Sequence, residues 1–253
     1  MNVDVLAIGA HPDDVDIICG GTLAKLAARG KSVAILDLTR GELGTRGTPE
    51  MRQSEALAAA AVLGVCERVM LDLGDATLQD NLESRRQVIE VVRRLRPRLI
   101  LTHHWHDQHP DHVATSSIVR SVMYTAGFPN YPAAGEPFRP NEVLFFMGHF
   151  PFEPSFVVDI EGYWGRKLEA LGCFKSQFHQ EGSDDLPTGI SQPDFFDRIE
   201  GRARHYGAQI GRSHGEPFYA MRVVPVDDLV DTYAPFTKIY SSREWEEQQG
   251  RKT

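Results

Sequence analysis

The chain has 253 residues, of which 42% are hydrophobic, enough for a substantial core and too many for a disordered polypeptide. Its 27 basic residues are outnumbered by 35 acidic ones, a formal net charge of −8, which argues against a nucleic-acid surface because phosphate binding needs a basic footprint. Three widely spaced cysteines, Cys19, Cys66 and Cys173, suggest neither a disulfide framework nor a cysteine zinc site, and they fit a reducing compartment.

A strand over residues 3–10 comes first, with no cationic leader before it. The longest apolar runs fall far short of the roughly 20 residues of a membrane span, so the expectation is a soluble, cytoplasmic protein with no membrane or nucleic-acid partner. A helix follows over 20–28, with Leu23, Leu26 and Ala27 on one face, and then a strand over 33–36. Thr48-Pro49 supplies an N-cap and a first-turn proline for an alanine-rich helix over 51–63. A strand over 69–73, a helix over 82–95 stopped by Pro97, a strand over 99–102 and a helix over 112–124 complete the alternating half. Strands that are almost wholly apolar are buried on both faces. The predicted architecture is therefore α/β: a Rossmann-like, doubly wound, mostly parallel sheet flanked by helices, with right-handed crossovers.

Prolines and glycines crowd residues 127–154, with an apolar segment over 143–146 inside them. A short strand over 156–160, a helix over 163–174, a loop over 182–193 and a helix over 195–206 follow, and the charged tail over 241–253 reads as frayed. No linker-like stretch or internal repeat divides the chain, so residues 1–253 read as one domain.

In open parallel sheets, ligands bind beyond the carboxyl ends of the strands. Two polar motifs fall there. Gly9-Ala10-His11-Pro12-Asp13-Asp14 follows the first strand, and His103-His104-Trp105-His106-Asp107-Gln108-His109-Pro110-Asp111-His112 follows the fourth. His11 and Asp14, three apart on a tight turn, can face one point, and imidazole with carboxylate suits Zn²⁺. A third ligand from the second motif, His112 by preference, completes a two-histidine, one-carboxylate set that keeps a position open for water, the mark of a catalytic site. A lone histidine is more often a surface or core residue; the pairing of two such clusters at equivalent strand ends carries the metal reading.

Asp13 is not needed as a ligand and can act as general base toward a water at the metal, the alternatives being a helix cap or a brace for a ligand. His109, oriented by Asp111, can carry a proton and remain cationic, steadying an oxyanion or protonating a leaving amine. Spacing alone leaves open which histidine does which. No Gly-x-Gly-x-x-Gly follows the first strand, which argues against a dinucleotide cofactor despite the fold class.

These motifs resemble the LmbE/PIG-L family of zinc-dependent N-deacetylases. The resemblance rests on residues 10–14 and 109–112, on the segment 37–48 with Met51-Arg52-Gln53-Ser54-Glu55, and on Lys175-Ser176-Gln177-Phe178, and it covers most of residues 3–225. The pattern is most similar to the bacillithiol-biosynthesis branch, whose members remove acetyl from N-acetylglucosaminyl-malate. What the resemblance implies is an LmbE-like fold with one zinc per chain held by His11, Asp14 and His112, the same ligands accepting Fe²⁺, Co²⁺ or Ni²⁺. It implies Asp13 as base, His109 as the proton-carrying histidine and Asp111 as its orienting partner.

It also places Glu42 and Arg52 near the sugar and its aglycone, and Gln177 in a late familial motif facing substrate. Arg46 and Arg52 suit bidentate recognition of malate carboxylates, or are surface arginines paired with Glu50 or Glu55. Arg202 is a ligand contact or a salt-bridge partner. Family members assemble as homo-oligomers, commonly hexamers. The alternative substrates are a chitooligosaccharide, a thiol conjugate or a natural-product intermediate. Two positions depart from the branch: Gln108 stands where arginine is common, and Phe195-Phe196 stands where a tyrosine hydroxyl is, leaving Tyr131, Tyr206 or water as substitutes.

Overall fold

The structure, a computed structural model, describes residues 2–179 and 186–233. The first half alternates β1 (Val5–Gly9), α1 (Asp14–Ala28), β2 (Val33–Asp37), α2 (Pro49–Leu63), β3 (Glu67–Met70), α3 (Leu82–Leu95), β4 (Leu99–His103) and α4 (Pro110–Thr125). The second half adds β5 (Glu142–Phe146), β6 (Phe156–Asp159), α5 (Trp164–Leu171), α6 (Phe195–Gln209), β7 (Gly215–Ala220) and the short α7 (Leu229–Tyr233). The strands form one seven-stranded sheet in the order β3-β2-β1-β4-β5-β7-β6. β3 to β5 run parallel, and β7 is antiparallel to both of its neighbours.

The strands read as continuous apolar runs because both faces are covered. Leu6, Ile8, Leu36 and Ile100 pack on Val88 and Val92 of α3 and on Ile118 and Val122 of α4. Their neighbours Val5, Ala7, Ile35 and Leu101 point the other way, onto Val15, Cys19 and Leu23 of α1. A third cluster joins Ala56, Ala59 and Leu63 of α2 to Leu171 and Ile199 of the later helices. Each fully buried Leu, Ile or Val contributes roughly 1.5–3 kcal/mol. Strand order reverses between β1 and β4, so the crevice beyond their carboxyl ends is the switch point where such sheets bind ligands. No helix among the described residues is long and apolar enough to cross a membrane.

Four sequence readings need correction. The first helix starts at Asp14, not at residue 20, and Cys19 breaks it with non-helical angles (φ −133°, ψ 19°). The predicted 20–28 is its second segment, and the buried Glu216 of β7 caps that segment by accepting from the amides of Gly21 (3.1 Å) and Thr22 (2.7 Å). Lys167 neutralises the same carboxylate at 2.6 Å. The third strand starts two residues and ends three residues earlier than expected, because the ladder with β2 ends at Met70 although Leu71 still donates to Asp37. The predicted helix 163–174 ends at Leu171. β7 has no counterpart in the reading: it holds Pro217 and is defined by antiparallel pairing with β5 and β6. Residues 182–185 of the predicted loop and the tail 241–253 lie outside the described residues.

Candidate metal centre and active site

The loops after β1 and β4 meet at the switch point. The carboxylate of Asp14, first residue of α1, lies 3.2 Å from His11 Nδ1 and 3.1 Å from His112 Nε2. All three residues are buried, and the imidazoles of His11 and His112 stand with ring centroids 5.7 Å apart. The His11 amide donates to Asp14 at 2.8 Å, which closes the turn. Among the described residues, four overlapping groups of three donors have ligand atoms within 4.8 Å of one another; each contains His11 or His112, and none of the four unites His11, Asp14 and His112. Two imidazoles sharing one carboxylate are a nitrogen–oxygen donor set that fits a divalent cation of the zinc type.

Further carboxylates back these rings. Asp107 Oδ1 meets His112 Nδ1 at 3.0 Å and His149 Nδ1 at 2.8 Å. The same carboxylate accepts the backbone amides of His109 and His149, so it ties the β4–α4 loop to the chain leaving β5. Gly148 is required there, since a Cβ would lie 1.9 Å from Asp107 Oδ2. Asp75 and Asp111 both face His11 Nε2, at 3.2 and 3.1 Å. His103 stacks on His112 with centroids 3.8 Å apart and accepts the Ala10 amide on Nε2. Asp75, Asp107, His103 and His149 were not singled out from sequence. Asp107 and His103 were legible as part of the second motif, whereas Asp75 and His149 stand alone on loops with no spacing signal.

The electrostatics follow this packing. Burial alone would lower the pKa of His112, but Asp14 and Asp107 outweigh it and raise it to about 9. His11 behaves alike: burial opposes its charge, and Asp14, Asp111 and Asp75 hold it well above the usual histidine value. Burial would raise Asp14, but His112 and His11 keep it well below the ordinary carboxylate range. His103 is driven down to about 4 by burial and the neighbouring His112 charge.

Asp13 is buried at the N-cap of α1 yet makes no side-chain capping bond. Its carboxylate instead receives Arg52 Nη2 at 3.2 Å, and Arg52 Nη1 donates to Gly41 O at 3.1 Å. Gly41 has φ +64°, and a Cβ there would fall 1.9 Å from Arg52 Nη1, so only glycine lets the arginine pass. His109 is the N-cap of α4 and lies edge-on to His11 at 4.7 Å. Its ring is placed differently from the sequence expectation. The Asp111 amide, not the carboxylate, contacts His109, donating to Nδ1 at 3.2 Å, while the carboxylate turns to His11 and the Ala76 amide. Burial and the charges of His11 and His112 lower the pKa of His109, and the contact from the Asp111 amide occupies Nδ1, leaving Nε2 as the ring nitrogen turned elsewhere.

The remaining predicted residues surround this centre. The expectation of surface arginines paired with Glu50 or Glu55 does not hold: Arg46 and Arg52 are buried, Glu50 pairs with Arg40 at 2.8 Å, and Glu55 accepts from Ser176. Glu42 accepts the amides of Asp75 (2.7 Å) and Arg40 (3.1 Å), bracing the 39–48 loop against the 74–77 loop. Gln177 donates to Arg46 O at 2.7 Å and secures the same loop from the other side. Arg202 is no salt-bridge partner among the described residues; it donates to the carbonyls of Met147 and Gly148 beyond β5. The Tyr206 hydroxyl contacts Met147 Sδ, and Tyr131 packs against the α3–α4 core, so neither lines the cavity at Asp14 and His112. One further motif, Gly211-Arg212-Ser213-His214-Gly215, has nucleophile-elbow spacing, but it joins a helix to a strand rather than a strand to a helix, so it forms no elbow.

A doubly wound sheet that gathers imidazoles and carboxylates at its switch point is an α/β scaffold with a donor set that could hold a metal ion. Comparison with known proteins carries this further. Residues 6–123 match the PIG-L family, described as GlcNAc-PI de-N-acetylase. Diacetylchitobiose deacetylase of Thermococcus kodakarensis is 33% identical over 192 residues, 70% of this chain and 71% of that protein. The 1D-myo-inositol 2-acetamido-2-deoxy-alpha-D-glucopyranoside deacetylase of Thermobispora bispora is 28% identical over 260 residues, 86% of this chain and 82% of that protein. The crystal structure of the conserved protein TT1542 from Thermus thermophilus superposes with a TM-score of 0.81 at 37% identity, covering 88% of this chain and 97% of that one. The chain belongs to the PIG-L/LmbE family of deacetylases and is an enzyme of that amide-hydrolysing class.

Proposed function

We propose that this protein removes the acetyl group from an N-acetylglucosamine conjugate with the help of a divalent ion, zinc by preference, held by His11, Asp14 and His112. The observation that carries the proposal is the Asp14 carboxylate in reach of both imidazoles, with Asp13 beside it on the Arg52 guanidinium. Bound there, the ion would supply Lewis acidity to the amide carbonyl and to water. Arg52 orients Asp13, which takes the proton of the attacking water and returns it to the leaving nitrogen. His109 presents Nε2–H to the charge that develops on the carbonyl oxygen, Nδ1 being occupied by the Asp111 amide. Asp111, and with it Asp75, fixes the ring of His11. The loop carrying Glu42 and Arg46, braced by Gln177, borders the sugar.

Within this class the malate conjugate suggested by the motifs competes with the substrates named for the relatives, a chitobiose and an inositol glucosaminide. The test is amine release from N-acetylglucosamine, its malate conjugate, N,N′-diacetylchitobiose and the inositol conjugate, with and without a chelator. Chelator-sensitive release supports the reading, and the fastest substrate names the aglycone. No release from any of them overturns it. Asp13→Asn should keep its metal and lose about 10²–10⁴-fold in kcat, and full activity would remove Asp13 from the base role. The reading places the enzyme in the cytoplasm as a homo-oligomer. The exposed apolar run after β7, with Val223 95% and Val230 76% accessible, supports association.

A further inference from the structure

Asp14 and His112 stand at a cavity of about 300 Å³. At about 30 Å³ per water, it has room for much more than the methyl of an acetyl group. Its wall is largely carbon: Ile17 and Ile18 of α1, Ile190, and Phe195 and Ile199 of α6. All of these but Ile18 belong to the hydrophobic cluster that joins α2 to the later helices, which thus extends to the candidate metal ligands. The charged groups in the wall have other partners. Arg198 donates to Gly189 O at 3.0 Å and meets Asp194 at 3.4 Å, and Arg202 donates to the carbonyls of Met147 and Gly148. Sugar hydroxyls buried among isoleucine and phenylalanine side chains would give up their hydrogen bonds to water, whereas an alkyl chain would bury its surface with no polar loss.

The proposed chemistry sets the direction of the two arms of the amide. Asp13, which returns the proton to the leaving nitrogen, is tied to Arg52, and Arg52 also donates to Gly41 O. Neither Asp13 nor any residue of the 39–52 segment lines the cavity. The nitrogen and its sugar therefore face the segment that carries Glu42 and Arg46. The substituent on the other side of the scissile carbon faces Ile17, Phe195 and Ile199.

We infer that this cavity receives the acyl arm of the amide, so that the enzyme cleaves N-acylglucosamines with a short unbranched alkyl chain in preference to the N-acetyl compound. This rests on the deacetylase reading above. Water adds to the acyl carbon and the C–N bond breaks. The water oxygen leaves in the alkanoic acid, and the proton taken from it leaves on the amine.

The test gives metal-loaded enzyme N-acetyl-, N-butanoyl- and N-hexanoylglucosamine, which all release the same amine. Each methylene buried in the cavity should raise kcat/KM about fourfold, so butanoyl should exceed acetyl by about tenfold or more. Ile199→Phe, and independently Ile190→Trp on the loop before α6, fill the cavity and should bring that ratio toward one, whatever happens to the absolute rates. Acetyl cleaved as fast as butanoyl by the wild type, or a preference that survives in the filled variants, overturns the inference. Methyl and butyl glycosides of N-acetylglucosamine examine the other arm. A preference for the butyl glycoside that the same substitutions abolish would put the aglycone in the cavity and also overturn it. If nothing releases amine, the deacetylase reading has failed, and calorimetric titration of the metal-loaded protein with acetate and butanoate decides the inference by itself. Butanoate binding about tenfold tighter than acetate, with the margin lost in Ile190→Trp, upholds the acyl site, and equal or absent binding overturns it.

Discussion

Asp107 shows how much of this site depends on a residue that need not touch an ion. Its side chain is fully buried, and its carboxylate serves His112, His149 and two backbone amides. By accepting from His112 Nδ1 it leaves Nε2 as the nitrogen that faces Asp14 and sets the angle of the ring. Asp107→Asn keeps the volume but loses the charge and one acceptor. It should weaken metal binding by about 10–100-fold, read by competition with a chromophoric chelator, and affinity within twofold of wild type would refute this role. His149→Ala removes an exposed contact to the same carboxylate and should perturb binding less. Asp107 stands inside the second motif, so its presence there was legible from sequence, but its role was not. A histidine-rich loop does not reveal which carboxylate a given ring turns to. Asp111 shows the same limit: sequence adjacency suggested His109, whereas a place in the first turn of α4 directs its carboxylate to His11 and the Ala76 amide.

At the scale of elements, α1 carries Asp14 and must be held at both of its segments. Glu216 and Lys167 hold the second, and Arg68 of β3 holds the first. The Arg68 guanidinium meets Asp16 of α1 at 3.0 Å and Asp37 of β2 at 2.7 Å, with every side chain of the triad at most 2% exposed. Burial raises the pKa of Asp16 from its ordinary 3.8 to about 6, against the pull of Arg68. The fold thus binds more protons than the unfolded chain between about pH 4 and 6, and this group's contribution to stability grows as pH falls through that window. Arg68→Met strands two buried carboxylates and should cost about 3–5 kcal/mol at pH 8 by denaturant unfolding. The deficit should shrink near pH 5, because the stranded groups then take up protons more readily than in the wild type. A deficit independent of pH would show that lost packing, not charge, dominates. Such couplings explain which elements could be read in advance. The apolar runs of β1, β2 and β4 announce themselves locally, whereas the break at Cys19 is tied to Glu216, 195 residues on from Gly21, and β7 to its pairing with β5 and β6.

The whole molecule concentrates its polar cost at one edge of the sheet. Side chains from the loops after β1, β3, β4 and β5 converge there, spanning His11 to His149 in sequence, with Arg52 reaching in from α2. The paired motifs made this convergence legible, because a parallel sheet brings the carboxyl ends of β1 and β4 side by side. The loops after β3 and β5 could not be foreseen, because their contributions are single residues. An ion gripped by so many segments would bind the folded chain and not the unfolded one, so its binding energy would add directly to stability. Zinc at about a hundredfold over its Kd adds about 2.7 kcal/mol. For a chain of this size that corresponds to about 5–11 °C in Tm, reversed by a chelator. Asp14→Asn and His112→Ala should lose the shift, whereas Asp13→Asn should keep it, since Asp13 faces Arg52. An undiminished shift in Asp14→Asn would mean that the ion is held elsewhere, by the Asp107–His149 or Asp75–Asp111 groups. Loss of the shift in Asp13→Asn would mean that ligand and base cannot be separated in this site.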